Sequence, residues 1–332
     1  MDCRGVKVII PAFQAGDPGS IPGGSNCFVF GIGESCCVGS LLVQSSPGCF
    51  KFIMPPSKST NTGVAYALDF DGVLCDSCLE LICSALLSIQ SKWPQVLQDI
   101  IPNPISPPDW LVNKLHKLRP LVEVGYEMIL LGLLVLDEQR ASIRSQQKSR
   151  PLTVGEIMEN WHSQIRDQLF REYETSESEL VDLFGTTRDG WMEQDLQGWL
   201  GKHRFYPGIV DALNFSESPI FIVTTKEKRF VCELLKHGGV ELEEQRIFGL
   251  DSGSKLKVLK SLLQLDEVKG RTLYFVEDRV ETLENACLTM LGTPVKFYLA
   301  SWGYNTEEMR ARACKNPQIE VIDLQTFVMK MQ

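Results

Sequence analysis

No apolar run in this 332-residue chain approaches the roughly 20 residues that a helix needs to cross a bilayer. The longest, residues 128–136, stops well short, so no membrane span is expected. A basic excess is also missing. With 42 acidic against 33 basic residues and a formal charge of −9, the chain lacks the cationic face on which general phosphate-backbone binding rests, and nucleic acid is not expected as a partner. Cysteine is present without a framework: eleven is an odd number, and Cys3, Cys27, Cys36, Cys37 and Cys49 all fall in the first fifty residues. Cys75 and Cys78 form a lone CxxC with no second pair at zinc-site spacing, which reads as small buried thiols in a reducing compartment. The first sixty residues carry few arginines and no basic segment ahead of an apolar stretch, so no targeting peptide is indicated. A cytoplasmic location is expected, with a plastid as the alternative. Internal repeats are absent.

What remains is an ordinary globular composition, 44% hydrophobic and 23% charged, long enough for one large domain with an insertion or for two domains. Residues 1–62 are rich in Gly, Ser, Pro and Cys, with turn-prone stretches at 16–19 and 22–24, and are expected to form a poorly ordered N-terminal extension. Residues 64–69 (Val-Ala-Tyr-Ala-Leu-Asp) read as a short buried strand ending in the turn Asp-Phe-Asp-Gly. Segments 219–224, 246–250, 272–276 and 295–300 have the same character, 319–322 adds a last strand, and helical patterns such as 228–237 and 255–265 lie between them. This alternation predicts the α/β class, a Rossmann-like parallel sheet with helices on both faces. Residues 78–204 break it. Helices are predicted there at 79–92, 108–118, 121–140, 154–171 and 188–202, with a capping box from Thr153 and Glu156 at the fourth. An all-helical cap domain inserted into a core built from 63–77 and 205–332 is the expected organisation.

Asp69 and Asp71 lie two apart at a strand end, so both carboxylates face one small volume. Like charges so close resist ionising together unless a cation lies between them, and a hard, oxygen-preferring ion such as magnesium is the natural companion. Gly72 suits the tight turn that follows.

The stretch from Tyr66 to Ser77, Tyr-Ala-Leu-Asp-Phe-Asp-Gly-Val-Leu-Cys-Asp-Ser, resembles the first motif of the haloacid dehalogenase-like hydrolases, in particular the phosphoglycolate phosphatase-like branch. The chain is also similar to a small plant and cyanobacterial group sharing the Val-Glu-Asp-Arg stretch at 276–279. The resemblance implies that Asp69 is a covalent nucleophile forming an aspartyl-phosphate and that Asp71 is the general acid and base. It covers roughly residues 64–310 in motif order, and residues 205–213 look like the re-entry into the core after the cap. Thr224, with Thr225 as fallback, matches the hydroxyl that binds a phosphoryl oxygen, while Lys226 reads as a surface residue or minor contributor. Lys255, with Lys257 as alternative, matches the motif lysine. Asp278 stands where a metal-binding Asp is usual. Here the pattern departs from the common one: Glu277 replaces a Gly, Thr282 stands where a second acid is usual, and Glu281 is one residue early. The implied metal ligands are Asp69, Asp71, Asp278 and Glu277, with Glu281 as a contributor through water. Arg119, Tyr126 and Arg188 are cap residues that could choose a substrate. The expected activity is magnesium-dependent hydrolysis of a small phosphorylated metabolite. A phosphosugar mutase-type transfer on the same fold and a degenerate interaction protein are the alternatives, and the oligomeric state is left open.

Overall fold

The computed structural model describes residues 63–143 and 150–332. The expected N-terminal extension, residues 1–62, lies outside them. The strands are β1 (Val64–Leu68), β2 (Cys75–Asp76), β3 (Arg204–Phe205), β4 (Ile220–Val223), β5 (Ile247–Phe248), β6 (Thr272–Glu277), β7 (Val295–Ala300) and β8 (Ile319–Ile322). Six of them form one parallel sheet in the order β5-β4-β1-β6-β7-β8. β1 is central, and the chain runs outward from it in both directions. The C-terminal edge beside β1 is therefore the topological switch point, where such sheets leave a crevice.

Alternation along the strands explains the layers. Tyr66, Leu68, Ile220, Ile222 and Val276 pack on one face with Ile209, Phe230 and Phe327. Ala65, Ala67, Phe221, Val223, Leu273 and Phe275 pack on the other with Leu259, Leu283 and Ala286. Successive side chains of a strand point to opposite faces, and a parallel sheet covered on both must be apolar on both. Fully burying each such Leu, Ile or Phe contributes about 1.5–3 kcal/mol.

Between β2 and β3 the chain is helical: α1 (Cys78–Lys92), α2 (Pro94–Leu97), α3 (Asp109–Leu118), α4 (Glu127–Ile143), α5 (Val154–Asn160), α6 (Arg166–Glu172) and α7 (Glu177–Leu200). These helices hold their own cluster of buried residues, among them Leu86, Leu115, Leu131 and Trp161. The core helices are α8 (Ile209–Phe215), α9 (Lys228–His237), α10 (Lys255–Leu262), α11 (Val280–Thr289), α12 (Glu307–Ala313) and α13 (Leu324–Met331). The short antiparallel pair of β2 and β3, Cys75 opposite Phe205 and Asp76 opposite Arg204, joins the two chain crossings at the base of the helical region.

Several expected boundaries move. The capping box at Thr153 and Glu156 is present, but its helix passes through a π turn at Trp161–Ile165 before continuing as α6. α7 begins at Glu177, well before the expected 188, because Ser176 and Glu179 form a second capping box. Near its end the helical path breaks at Asp195, whose Oδ1 accepts the Gly198 N–H. The run expected as one helix over 121–140 starts only at Glu127, after a 3-10 turn at Arg119–Leu121 and an irregular stretch in which the Glu127 carboxylate accepts the backbone N–H groups of Glu123 and Val124. No helix among the described residues is long and apolar enough to cross a membrane.

Candidate active site

Asp69 directly follows β1, Thr224 follows β4, Glu277 ends β6 with Asp278 next, and Lys255 opens α10. Register pairs Leu68 with Ile222 and with Val276, so all of these residues emerge at one edge of the sheet. Lys255 Nζ lies 2.8 Å from Asp69 Oδ1 and 2.6 Å from Glu277 Oε2. Lys257 lies instead along a shallow outer groove with Lys260 and Gln264.

Asp69, Glu277 and Asp278 are buried, and each offers a carboxylate oxygen within 4.8 Å of the others. Three carboxylates meet one ammonium, Lys255, in contact with Asp69 and Glu277, and the Arg119 guanidinium also favours the ionised Asp278, which still leaves negative charge in excess at a buried site. A hard divalent cation fits both that donor chemistry and that charge. Burial pushes Asp69 up to about 6, with Lys255 pulling it down and Glu277 pushing it further up. Burial and the charge of Asp69 likewise raise Asp278, and burial raises Glu277. Burial disfavours the Lys255 ammonium, yet Asp69 and Glu277 more than offset this and its pKa is raised.

Asp71 is not in the three-carboxylate group. Its Oδ1 accepts from Ser77 Oγ at 2.5 Å and from Lys226 Nζ at 3.1 Å. Burial would raise its pKa, but Lys226, Arg119 and Ser77 together hold it below the ordinary value. Lys226 is the main departure from the sequence reading. It is buried, at 4% exposure, and its ammonium also lies 3.9 Å from Glu80 Oε2. Flanking Lys and Glu residues made 226 look like part of a solvated run, whereas the turn after β4 carries it inward toward two carboxylates.

A cavity of about 470 Å³ opens over these groups, lined by Asp69, Asp71, Lys226, Lys255 and Asp278 and, from the helical region, by Arg119, Tyr126 and Arg188. Thr224 is buried, its hydroxyl accepts the Lys226 N–H at 3.1 Å, and it is not among the lining residues; Thr225 is. Thr225 Oγ1 donates to the Glu123 carbonyl at 2.9 Å, a contact between the sheet edge and the helical region. Arg279 makes another, with Nη2 3.5 Å from the Glu123 carboxylate. Arg119 lies 4.1 Å over the Tyr304 ring. Tyr126 accepts from Arg166 through its hydroxyl, and the Arg188 guanidinium is clamped on Glu80. Glu281 pairs with Arg312 and, with Thr282, lines the cavity. Tyr304, Glu80 and Arg279 were missed by sequence reasoning.

Asp278 is held from three sides. Its Oδ2 accepts the Tyr304 N–H at 2.7 Å, and a Cβ at Gly72 or Gly303 would stand 2.1 Å from that oxygen or 2.4 Å from the Asp278 Cβ respectively. Both glycines are what lets the carboxylate sit there.

No protein-family model matches the chain, and no curated protein matches it. Among solved structures, it is similar to a haloacid dehalogenase-like hydrolase from Streptococcus pneumoniae, at 15% identity and a TM-score of 0.46 over 82% of this chain and 100% of that one. It is similar to a predicted phosphoglycolate phosphatase from Haemophilus somnus, at 15% identity and a TM-score of 0.47 over 82% and 99%. A predicted phosphatase from Clostridium acetobutylicum gives 14% identity and a TM-score of 0.44 over 81% and 98%.

Proposed function

We propose that this chain is a haloacid dehalogenase-like phosphatase that hydrolyses a small phosphorylated metabolite with magnesium, through an aspartyl-phosphate on Asp69. The observation that carries this reading is the meeting of Asp69, Lys255 and Asp278 at the switch point of the sheet, with Asp71 beside them, under a cavity of metabolite size. A phosphoryl group needs a nucleophile, a proton carrier and concentrated positive charge, and each has a residue here.

Asp69 would attack phosphorus while the bond to the leaving oxygen breaks. Lys255 keeps Asp69 ionised and aimed, being paired with it at 2.8 Å. Asp69 and Asp278, with Glu277 beside them, would hold the magnesium, which when bound offsets charge on the phosphoryl oxygens. Asp71 rests as a carboxylate among Lys226, Arg119 and Ser77, the state needed to take a proton from attacking water. Before that step, Asp71 would take up a proton from solvent as the phosphoryl dianion binds beside it, pass it to the leaving oxygen as the bond to phosphorus breaks, and so return to the carboxylate that water then meets. Arg119, Tyr126 and Arg188 line the same cavity and select what is attached to the phosphate.

Replacing Asp69 by Asn tests the proposal. Magnesium-dependent release of phosphate from an aryl phosphate should be abolished with the fold retained, and release at the wild-type rate removes the covalent mechanism.

A further inference from the structure

Glu80 is fully buried on α1, outside the three-carboxylate group and outside the cavity lining. A buried carboxylate is tolerated only when paired and hydrogen-bonded, and this one is saturated. Oε1 accepts from Arg188 Nε at 2.7 Å, Trp199 Nε1 at 3.1 Å and Ser84 Oγ at 2.5 Å. Oε2 accepts from Arg188 Nη2 at 2.7 Å and has His203 Nε2 at 3.5 Å and Lys226 Nζ at 3.9 Å. Arg188 alone would satisfy the charge of Glu80. Lys226 is the addition: its ammonium, on a side chain 1% exposed, donates to both oxygens of Asp71 at 3.1 and 3.3 Å and lies at ion-pair distance from Glu80. Two cations, Arg188 and Lys226, thus face two carboxylates, Glu80 and Asp71, in a set with no net charge.

We propose that Glu80 is a positioning residue for the reaction: it tethers the Lys226 ammonium, which in turn orients the Asp71 carboxylate toward the leaving oxygen. Arg188 and Trp199, which clamp Glu80, come from α7, whereas Glu80 itself is on α1 and Lys226 follows β4. The tether is therefore complete only when the helical region is seated on the sheet edge, and it makes proton delivery conditional on that seating. The proposal rests on the acid/base role given to Asp71 above.

The test compares kcat/KM for β-glycerophosphate, whose alkoxide must be protonated to leave, with kcat/KM for dinitrophenyl phosphate, whose phenolate leaves without help. This parameter stops at loss of the leaving group, so later hydrolysis of the intermediate does not enter, and the ratio of the two substrates cancels any uniform loss of activity. General acid catalysis supplies about 10²–10⁴-fold, so Asp71→Asn should lower the glycerophosphate to dinitrophenyl ratio by at least ~100-fold, and Glu80→Gln and Lys226→Met each by at least ~10-fold. Glu80→Asp, which keeps the charge for Arg188 but shortens the reach to Lys226, provides the same readout should Glu80→Gln not fold. In the double variant Glu80→Gln with Lys226→Met the ratio should fall no further than in Lys226→Met alone, since both act along one path. A ratio unchanged in the folded Glu80 variants, or losses that multiply in the double variant, overturns the tether. A ratio unchanged in Asp71→Asn instead overturns the acid role on which it rests.

Discussion

Gly72→Ala separates two physical costs that usually arrive together. Gly72 has φ +86°, a conformation in which a Cβ costs roughly 1–2 kcal/mol. The added methyl would also lie 2.1 Å from Asp278 Oδ2, 2.7 Å from Asp278 Cγ and 2.8 Å from Tyr304 Cδ2. Asp278 cannot simply swing away, because Oδ2 accepts the Tyr304 N–H and Gly303 closes the other side. Forcing atoms into a filled site costs about 1–3 kcal/mol, so the substitution should destabilise by about 2–5 kcal/mol in all. Gly239 is the control. Its φ is +71° and an added Cβ meets nothing within 4 Å, so Gly239→Ala should lose only the backbone part, about 1–2 kcal/mol. Urea unfolding measures both, read from the midpoint at unchanged m, once in EDTA and once in magnesium. A bound cation stabilises the folded state by about 2.7 kcal/mol at a hundred times its Kd, and this increment should survive in Gly239→Ala and shrink in Gly72→Ala, where the displaced group is Asp278. Equal losses in the two variants, with equal magnesium increments, would refute the packing argument and the role given to Asp278 together.

Arg188→Met leaves the buried Glu80 carboxylate without its bidentate partner and should destabilise by about 3–5 kcal/mol, measurable by the same urea series; a loss below about 1 kcal/mol would mean that water or Lys226 replaces the guanidinium. The pH dependence has a definite sign. Burial would raise Glu80, but Arg188, His203 and Lys226 hold it well below its usual value, so its contribution is fully present above the ordinary glutamate pKa of about 4.3 and is lost as pH falls through the depressed folded value. The stability difference between wild type and Glu80→Gln should therefore be flat above that pH and narrow below it, and a difference that widens on acidification would contradict the pairing. Lys255→Met should abolish phosphatase turnover and Lys257→Met should leave it within about twofold, since surface substitutions away from such features are nearly neutral; the reverse order in a phosphate-release assay would move the motif lysine to 257.

Much of this molecule was written locally. The apolar runs at β1, β4, β6 and β7 announce buried parallel strands because both faces of such a sheet are covered, and the break in alternation after Ser77 marks the helical insertion. Asp69, Asp71, Lys255 and Asp278 were legible as types at strand ends and a helix start, and their convergence needed only that parallel strands end on one edge. Boundaries were less so: the capping box at Ser176 and Glu179 was available to be read and sets the start of α7, whereas the π turn at Trp161 has no local signature. Glu80 left a trace, as the one charge in the first ten residues of α1, Cys-Leu-Glu-Leu-Ile-Cys-Ser-Ala-Leu-Leu.

What only the tertiary structure decided is which charges meet. Lys226 and Glu80 are far apart in the chain, and Asp71 and Lys226 are separated by 155 positions, so no spacing rule links them. The choice of Lys255 over Lys257 at Asp69, and of Thr225 over Thr224 at the cavity wall, turns on a rotation of two residues at a helix start and of one at a strand end. Composition and periodicity record which side chains must leave water. They do not record which partner each buried charge finds there, because that is fixed by the packing of α1 and α7 against the sheet edge.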